Sequence, residues 1–219
     1  MALSFFGHPF SSYCQKAQIA LYENAIPFTY RTVSPEDEAT TAEWAALWPL
    51  KRFPVLVDNG RTVVESTIII EHLDVHHPGP VKLIPVDPDA ALEVRTMDRF
   101  FDNYVMTPMM AIVFNALRPA DAPDPFGVQR ARDLLDTSYG WLEGHMAGRE
   151  WAAGTGFSLA DCAAAPSLFY ADWAHPLDGH FPNVAAYRAR LLKRPSFARA
   201  VDEARPFRPY FPLGAPDRD

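Results

Sequence analysis

The chain opens on a short apolar run, "ALSFFG" at residues 2–7, which is closed by His8 and Pro9. A run of that length bounded by turn formers predicts a buried strand. "QKAQIALYENA" follows with Ala17, Ala20 and Leu21 on one helical face, set among strong helix formers. "PFTYRTV" is aromatic and β-branched and predicts a second strand, entered at Pro27. The acidic stretch from Ser34 to Trp48 begins polar and turns apolar, which predicts a loop with a short helix. "RFPVLVDNGRTVVES" holds two β-rich runs around Asp58-Asn59-Gly60. Asn-Gly supplies the positive φ angles of a tight turn, so this segment predicts a hairpin. "TIIIEHLDVHH" predicts a helix stopped by Pro78 and Gly79. From about Pro88 the strand signals vanish. Helices are predicted over Glu93–Leu117, Val128–Met146, Leu159–Trp173, Val184–Lys193 and Ser196–Arg205, with Pro108 kinking or restarting the first.

These elements divide the chain into a small α/β domain over residues 1–79, a linker over 80–87 and an all-helical domain over 88–219. The linker region, "HPGPVKLIPVDPDA", carries four prolines and two aspartates. With 219 residues, 48% of them hydrophobic, the chain has ample material for a core. The formal charge of -7 without clustered Lys/Arg argues against nucleic-acid binding. No apolar run approaches the roughly 18 residues of a membrane span, and the N-terminus lacks the pattern of a secretory signal. Two cysteines, Cys14 and Cys162, make no disulfide framework and suit a reducing compartment. A soluble, cytoplasmic protein is expected. The seven histidines show no metal-ligand spacing in the sequence, and the adjacent His76 and His77 are expected to point apart, so no metal site is expected.

Four stretches carry groups with chemistry, and each also has an ordinary folding use. Ser11-Ser12-Tyr13-Cys14 stands where the first strand gives way to the first helix, and Ser11 there reads as a helix N-cap. Pro54 opens a strand, a position proline tolerates. A cis Phe53-Pro54 bond is the alternative, although only about 5–6% of X-Pro bonds are cis. Glu65-Ser66 reads as an N-cap with an acidic first turn. Ser158 and Asp161 form an S-x-x-D capping box, a folding element that needs no ligand.

Taken together these stretches resemble a known family. A strand, S-x-x-C at a helix start and a proline before the third strand are similar to the thioredoxin/glutaredoxin layout, whose C-P-Y-C would overlay Ser11 to Cys14. Glu65-Ser66 after a hairpin, and "FSLADCAAAPSL" at residues 157–168, narrow the resemblance to cytosolic-type, serine-type bacterial-like glutathione S-transferases over essentially the whole chain. The resemblance implies an α/β thioredoxin-like domain followed by an all-α helical-bundle domain, a homodimer, and glutathione as co-substrate with no metal. It assigns Ser11 as the catalytic hydroxyl, and Arg52 (with Lys51 as a second candidate), Phe53, Pro54, Val55, Glu65 and Ser66 to glutathione. Phe10, Tyr104 and Pro108, with Met106, Met109 and Ile112, are the candidates for a hydrophobic substrate site. Tyr13 is assigned to packing. Cys14, without a partner cysteine at position 11, is read as buried scaffold, and Cys162 as core. The implied activity is conjugation of the glutathione thiolate to a hydrophobic electrophile. Glutathione-dependent isomerisation or dehalogenation, and a non-catalytic binding or regulatory role, are the alternatives.

Overall fold

Strand β1 (Leu3–Gly7) sends its side chains into two apolar layers. Leu3 and Phe5 join the main core, while Phe6 packs with Val33, Trp44 and Val55 on the opposite face. The computed structural model describes residues 3–177 and 179–219. β2 (Thr29–Thr32) runs parallel to β1, β3 (Val55–Asp58) runs antiparallel to it, and β4 (Arg61–Val64) completes a sheet of order β2-β1-β3-β4. The parallel pair requires a crossover, which α1 (Ser12–Glu23) provides. In the β3–β4 turn Asn59 has φ 49° and Gly60 φ 88°, the two positive angles that the sequence signal implied. Helices α1 and α3 (Ser66–His76) cover the main-core face, and α2 (Glu38–Leu47) covers the other through Trp44.

The rest of the chain is helical: α4 (Pro88–Phe100), a π-helical segment (Phe101–Met106), α5 (Thr107–Asn115), α6 (Pro125–His145), α7 (Leu159–Ala174), α8 (Pro182–Leu192), α9 (Pro195–Ala204) and a 3₁₀ segment (Arg205–Tyr210). The single interrupted helix expected over Glu93–Leu117 is three segments, and Pro108 is the physical reason. Proline has no N–H and crowds the carbonyl four residues back, and a wider turn just before it relieves both problems. Thr107 closes that turn, its Oγ1 donating to the Asp102 carbonyl at 2.9 Å. Among the described residues no helix is long and apolar enough to cross a membrane.

Helix α7 is buried along its whole length and is the spine of the helical domain. Its cap is the box expected from Ser158 and Asp161. The buried Asp161 carboxylate accepts from the Ser158 N–H at 2.9 Å, the Ala152 N–H at 3.0 Å and the Tyr187 hydroxyl at 2.5 Å.

The two domains meet along α1, which packs on α7 and α9. Lys16, only 1% exposed, sits in that seam. Its Nζ lies 2.6 Å from Asp98 and 2.8 Å from Asp102, and it donates to Thr67 Oγ1 at 2.9 Å. One ammonium on α1 thus binds α4, the π segment and α3 together. Removing one partner of a buried ion cluster leaves the other charges desolvated and unpaired. Lys16→Met, close in length and without charge, is expected to lower the unfolding free energy by about 3–5 kcal/mol. Denaturant titration measures this; a loss below about 1 kcal/mol would show that the cluster does not hold the seam.

Candidate functional site

The site begins at the N-terminus of α1. Ser11 keeps extended backbone angles, φ -86° and ψ 123°, and its Oγ accepts the Cys14 N–H at 3.3 Å. This is ordinary N-cap geometry, and it uses an oxygen lone pair rather than the hydroxyl proton. Cys14 lies one turn further on, fully buried. A Cβ on Gly7 would come within 2.5 Å of Cys14 Sγ, so the strand end must be glycine for the thiol to fit. Burial pushes the Cys14 pKa up to about 12, against hydrogen bonds from Ser11 and from the His8 backbone that favour the thiolate. Cys14 is therefore a thiol, turned away from solvent.

Two further segments reach the same place in unusual backbone conformations. Lys51 has φ 51° and Glu65 φ 70°; both belong to the four non-glycine residues with positive φ among the described residues. Such conformations cost on the order of 1–3 kcal/mol and gather at binding and catalytic sites. Between them the Phe53-Pro54 bond is cis, and Trp44 Nε1 anchors the loop by donating to the Arg52 carbonyl at 3.1 Å. Glu65 is exposed and makes no side-chain capping bond, whereas Ser66 begins α3 and is buried.

These groups line one cleft of about 660 Å³ between the domains, well within the size range of small-molecule sites. The α/β domain supplies Ser11, Ser12, Lys51, Arg52, Glu65 and Ser66, and the α4–π region adds Arg99, Asp102 and Asn103. Helix α5 and the turn after it supply an apolar wall of Met109, Met110, Val113, Phe114 and Leu117. Arg99 Nη2 lies 2.6 Å from Asp102 Oδ2, so the cationic side of the cleft is tied to the Lys16 cluster.

Of the residues expected in the site, Ser11, Arg52, Phe53, Pro54, Glu65, Ser66 and Phe10 line this cleft together. Val55 does not: it is fully buried and paired in the ladder with Phe6 on one side and Val64 on the other. Tyr104 and Pro108 lie outside the lining as well. Tyr104 is half exposed and packs its ring against Phe100 at 5.8 Å, while Pro108 is buried in the helix. Met109, also a candidate, does line the cleft, beside Met110 and Val113, and the π segment that precedes α5 sets which of that helix's faces points there. Met106 and Ile112 are buried outside it.

Several lining residues were not expected in this site: His8, Trp48, Arg99, Asp102, Tyr170, Tyr210 and Phe211. His8 follows β1 directly. Its Nδ1 accepts the Phe10 N–H at 3.2 Å, and burial lowers its pKa, with Glu36 opposing, so it is a neutral imidazole. Phe211 comes from the C-terminal segment and meets Tyr170, Trp173 and Phe10 edge-on or stacked. The aromatic run "RPFRPYF" at residues 205–211 was the available signal.

A correction concerns the histidines. His72 and His77 converge on Asp58, with Nε2 atoms 2.9 and 2.7 Å from the same carboxylate oxygen. The spacing along the chain did not show this, because the third member comes from the hairpin. The His76 ring packs against His72, tilted by 44° with centroids 4.4 Å apart.

Comparison with known proteins follows the same outline. Residues 5–81 match the model of the glutathione S-transferase N-terminal domain, and residues 125–190 match that of the C-terminal domain. The chain is 28% identical over 199 residues to FtsZ-localized protein A of Caulobacter vibrioides, covering 86% of each chain. It is 30% identical over 159 residues to the glutathione S-transferase-like protein LUC7 of a Fusarium species, covering 70% of this chain and 71% of that one. Among solved structures, a glutathione S-transferase of Methylobacterium radiotolerans in complex with glutathione sulfonate superimposes with a TM-score of 0.79. It shares 32% identity, over 92% of this chain and 95% of that one.

Both cysteines are fully buried, and burial raises both thiol pKa values. Neither is expected to react with a disulfide reagent at pH 8 in the folded protein, and both are expected to react after denaturation. Fast labelling of Cys14 in the native state would contradict the buried-thiol assignment.

Proposed function

The chain belongs to the glutathione S-transferase family, and from that premise we propose that it joins the thiolate of glutathione to a hydrophobic electrophile in the interdomain cleft. The observation that carries the proposal is the convergence on one cleft of the Ser11 hydroxyl, a strained Glu65 beside the Ser66 hydroxyl and the Lys51-Arg52 cations.

Each part of glutathione has a chemical counterpart there. Its ammonium is met by the Glu65 carboxylate. Its γ-glutamyl carboxylate is met by the Ser66 hydroxyl and the N–H groups that open α3, where the helix dipole favours an anion. Arg52, with Lys51 beside it, answers the glycyl carboxylate. The backbone of Phe53 replaces Val55 as the partner of the cysteinyl unit, since Val55 is engaged in the sheet.

The thiol then lies near the α1 N-terminus. An ordinary thiol, with a pKa of about 8.5, is only a few per cent ionised at neutral pH. Ser11 Oγ already accepts from Cys14 N–H, and its hydroxyl, which hydrogen-bonds the neutral Cys14 thiol, turns from that weak acceptor to the stronger one offered by the glutathione thiolate. A hydroxyl donor and a helix N-terminus both favour the thiolate. The thiolate attacks the electrophilic carbon, and the leaving group or an incoming proton balances the charge. Met109, Met110, Val113 and Phe114 offer pliable apolar surface suited to electrophiles of varied shape.

Isomerisation or dehalogenation would use the same thiolate. The likeness to FtsZ-localized protein A, whose name gives a location and no reaction, keeps open a second reading, a binding or regulatory protein on this fold. Turnover separates the two. A homodimer is part of the proposal, with exposed apolar side chains such as Ile68, Val75, Leu92 and Trp141 available for its seam.

Calorimetry with glutathione and a rate assay with an activated aryl halide test the proposal. Glu65→Ala leaves the bound ammonium without its partner and is expected to weaken glutathione by about 2 kcal/mol, roughly 30-fold. Unchanged affinity in that variant would remove the binding mode. Binding by the wild type without turnover of any electrophile would favour the regulatory reading.

A further inference from the structure

We propose that Asp58, His72 and His77 form a divalent-metal site, with zinc as the best-fitting ion, at the end of the α/β domain remote from the glutathione cleft. The three donor atoms lie within 4.8 Å of one another. Both Nε2 atoms already sit 2.7–2.9 Å from one carboxylate oxygen. Donors around a tetrahedral zinc, with bonds of about 2.0–2.2 Å, stand roughly 3.3 Å apart. Small side-chain rotations convert the present arrangement into that one.

The donors are set on rigid elements. Asp58 ends β3, His72 lies within α3, and His77 caps the same helix. Asn59 Nδ2 holds the other Asp58 oxygen at 2.8 Å, which directs Oδ2 at the two imidazoles, and the His76 ring packs at a tilt against His72. Asp58 and His72 are each 8% exposed, while His77 is partly open to solvent. An ion therefore has a way in, and a water can take the fourth position.

The donor set selects the ion class. Two imidazoles and one carboxylate suit zinc and its late first-row neighbours, whereas magnesium and calcium prefer oxygen ligands throughout. Helix α3 runs from Ser66 at the cleft to His76, about 15 Å at 1.5 Å per residue. The ion is consequently too far away to touch glutathione. It would cross-link the β3–β4 hairpin to the C-terminal end of α3, the helix whose other end opens the glutathione site.

The test uses tag-free full-length protein stripped with a chelator and titrated with zinc chloride at pH 7.5 without glutathione, whose thiol would compete for the ion. One zinc per chain is expected to bind at micromolar concentration or tighter and to raise the melting temperature. Cobalt in its place is expected to give the intense visible absorption of four-coordinate geometry. Asp58→Asn keeps the side-chain shape but is a poor metal ligand, and His77→Ala removes a donor at a helix end. Each is expected to weaken zinc by more than tenfold while the metal-free protein stays folded. If Asp58→Asn fails to fold, His77→Ala decides. No saturable zinc binding to the wild type, or the same affinity in the folded variants, would overturn the proposal.

Discussion

The buried ammonium of Lys16 is the constraint around which the cleft is organised. It is almost wholly out of solvent and is held by Asp98, Asp102 and Thr67. Thr67 follows Ser66, Asp102 lines the cleft, and Lys16 itself lies little more than one turn beyond Ser11. Buried ion pairs add little net stability compared with a well-packed apolar core, because desolvation offsets most of the Coulombic gain. What this one supplies is position: a shift of α1 relative to α4 would strand a charge in the seam. Gln15 reinforces the alignment by donating to Tyr170 Oη at 3.0 Å and to the Pro9 carbonyl at 3.0 Å.

From that alignment the chemistry of the cleft follows. The α/β domain brings helix N-termini, a hydroxyl and paired charges to one side; α5 and the C-terminal segment bring apolar and aromatic surface to the other. A zwitterionic tripeptide and an apolar electrophile need these two kinds of wall. The strain at Lys51 and Glu65 fits the same division, since each places a charged side chain at the cleft from a backbone that has been turned out of the common regions. Cys14 has the reactive atom but the wrong surroundings: buried, with its pKa pushed up to about 12, it fills space behind Ser11.

Much of this was legible in the sequence because local chemistry determines it. Asn59-Gly60 could hardly be anything but a turn, Ser158 and Asp161 cap α7 by their spacing, and Ser11 stands at a strand-to-helix junction. The misreadings came from interactions that span the chain. Tyr104 and Pro108 were placed on the apolar wall for their aromatic and apolar character, which does not tell which face of a helix meets the cleft. Val55 was assigned to glutathione, although in the sheet it stands between ladder partners Phe6 and Val64. Lys16 gave no sign of burial, because its partners lie 82 and 86 positions away in sequence, at Asp98 and Asp102. His72 and His77 looked unrelated until the hairpin delivered Asp58 between them.

The central claim is that the Ser11 hydroxyl holds the glutathione sulfur as a thiolate. Thiolate absorbance of bound glutathione, followed against pH, measures this directly in the wild type and in Ser11→Ala, Ser12→Ala and Cys14→Ala. The expected result is a bound-thiol pKa that rises by about one unit or more in Ser11→Ala, corresponding to about 1.4 kcal/mol of lost thiolate stabilisation, and stays put in the other two. A pKa that is unchanged in Ser11→Ala but moves in Ser12→Ala or Cys14→Ala would contradict the account.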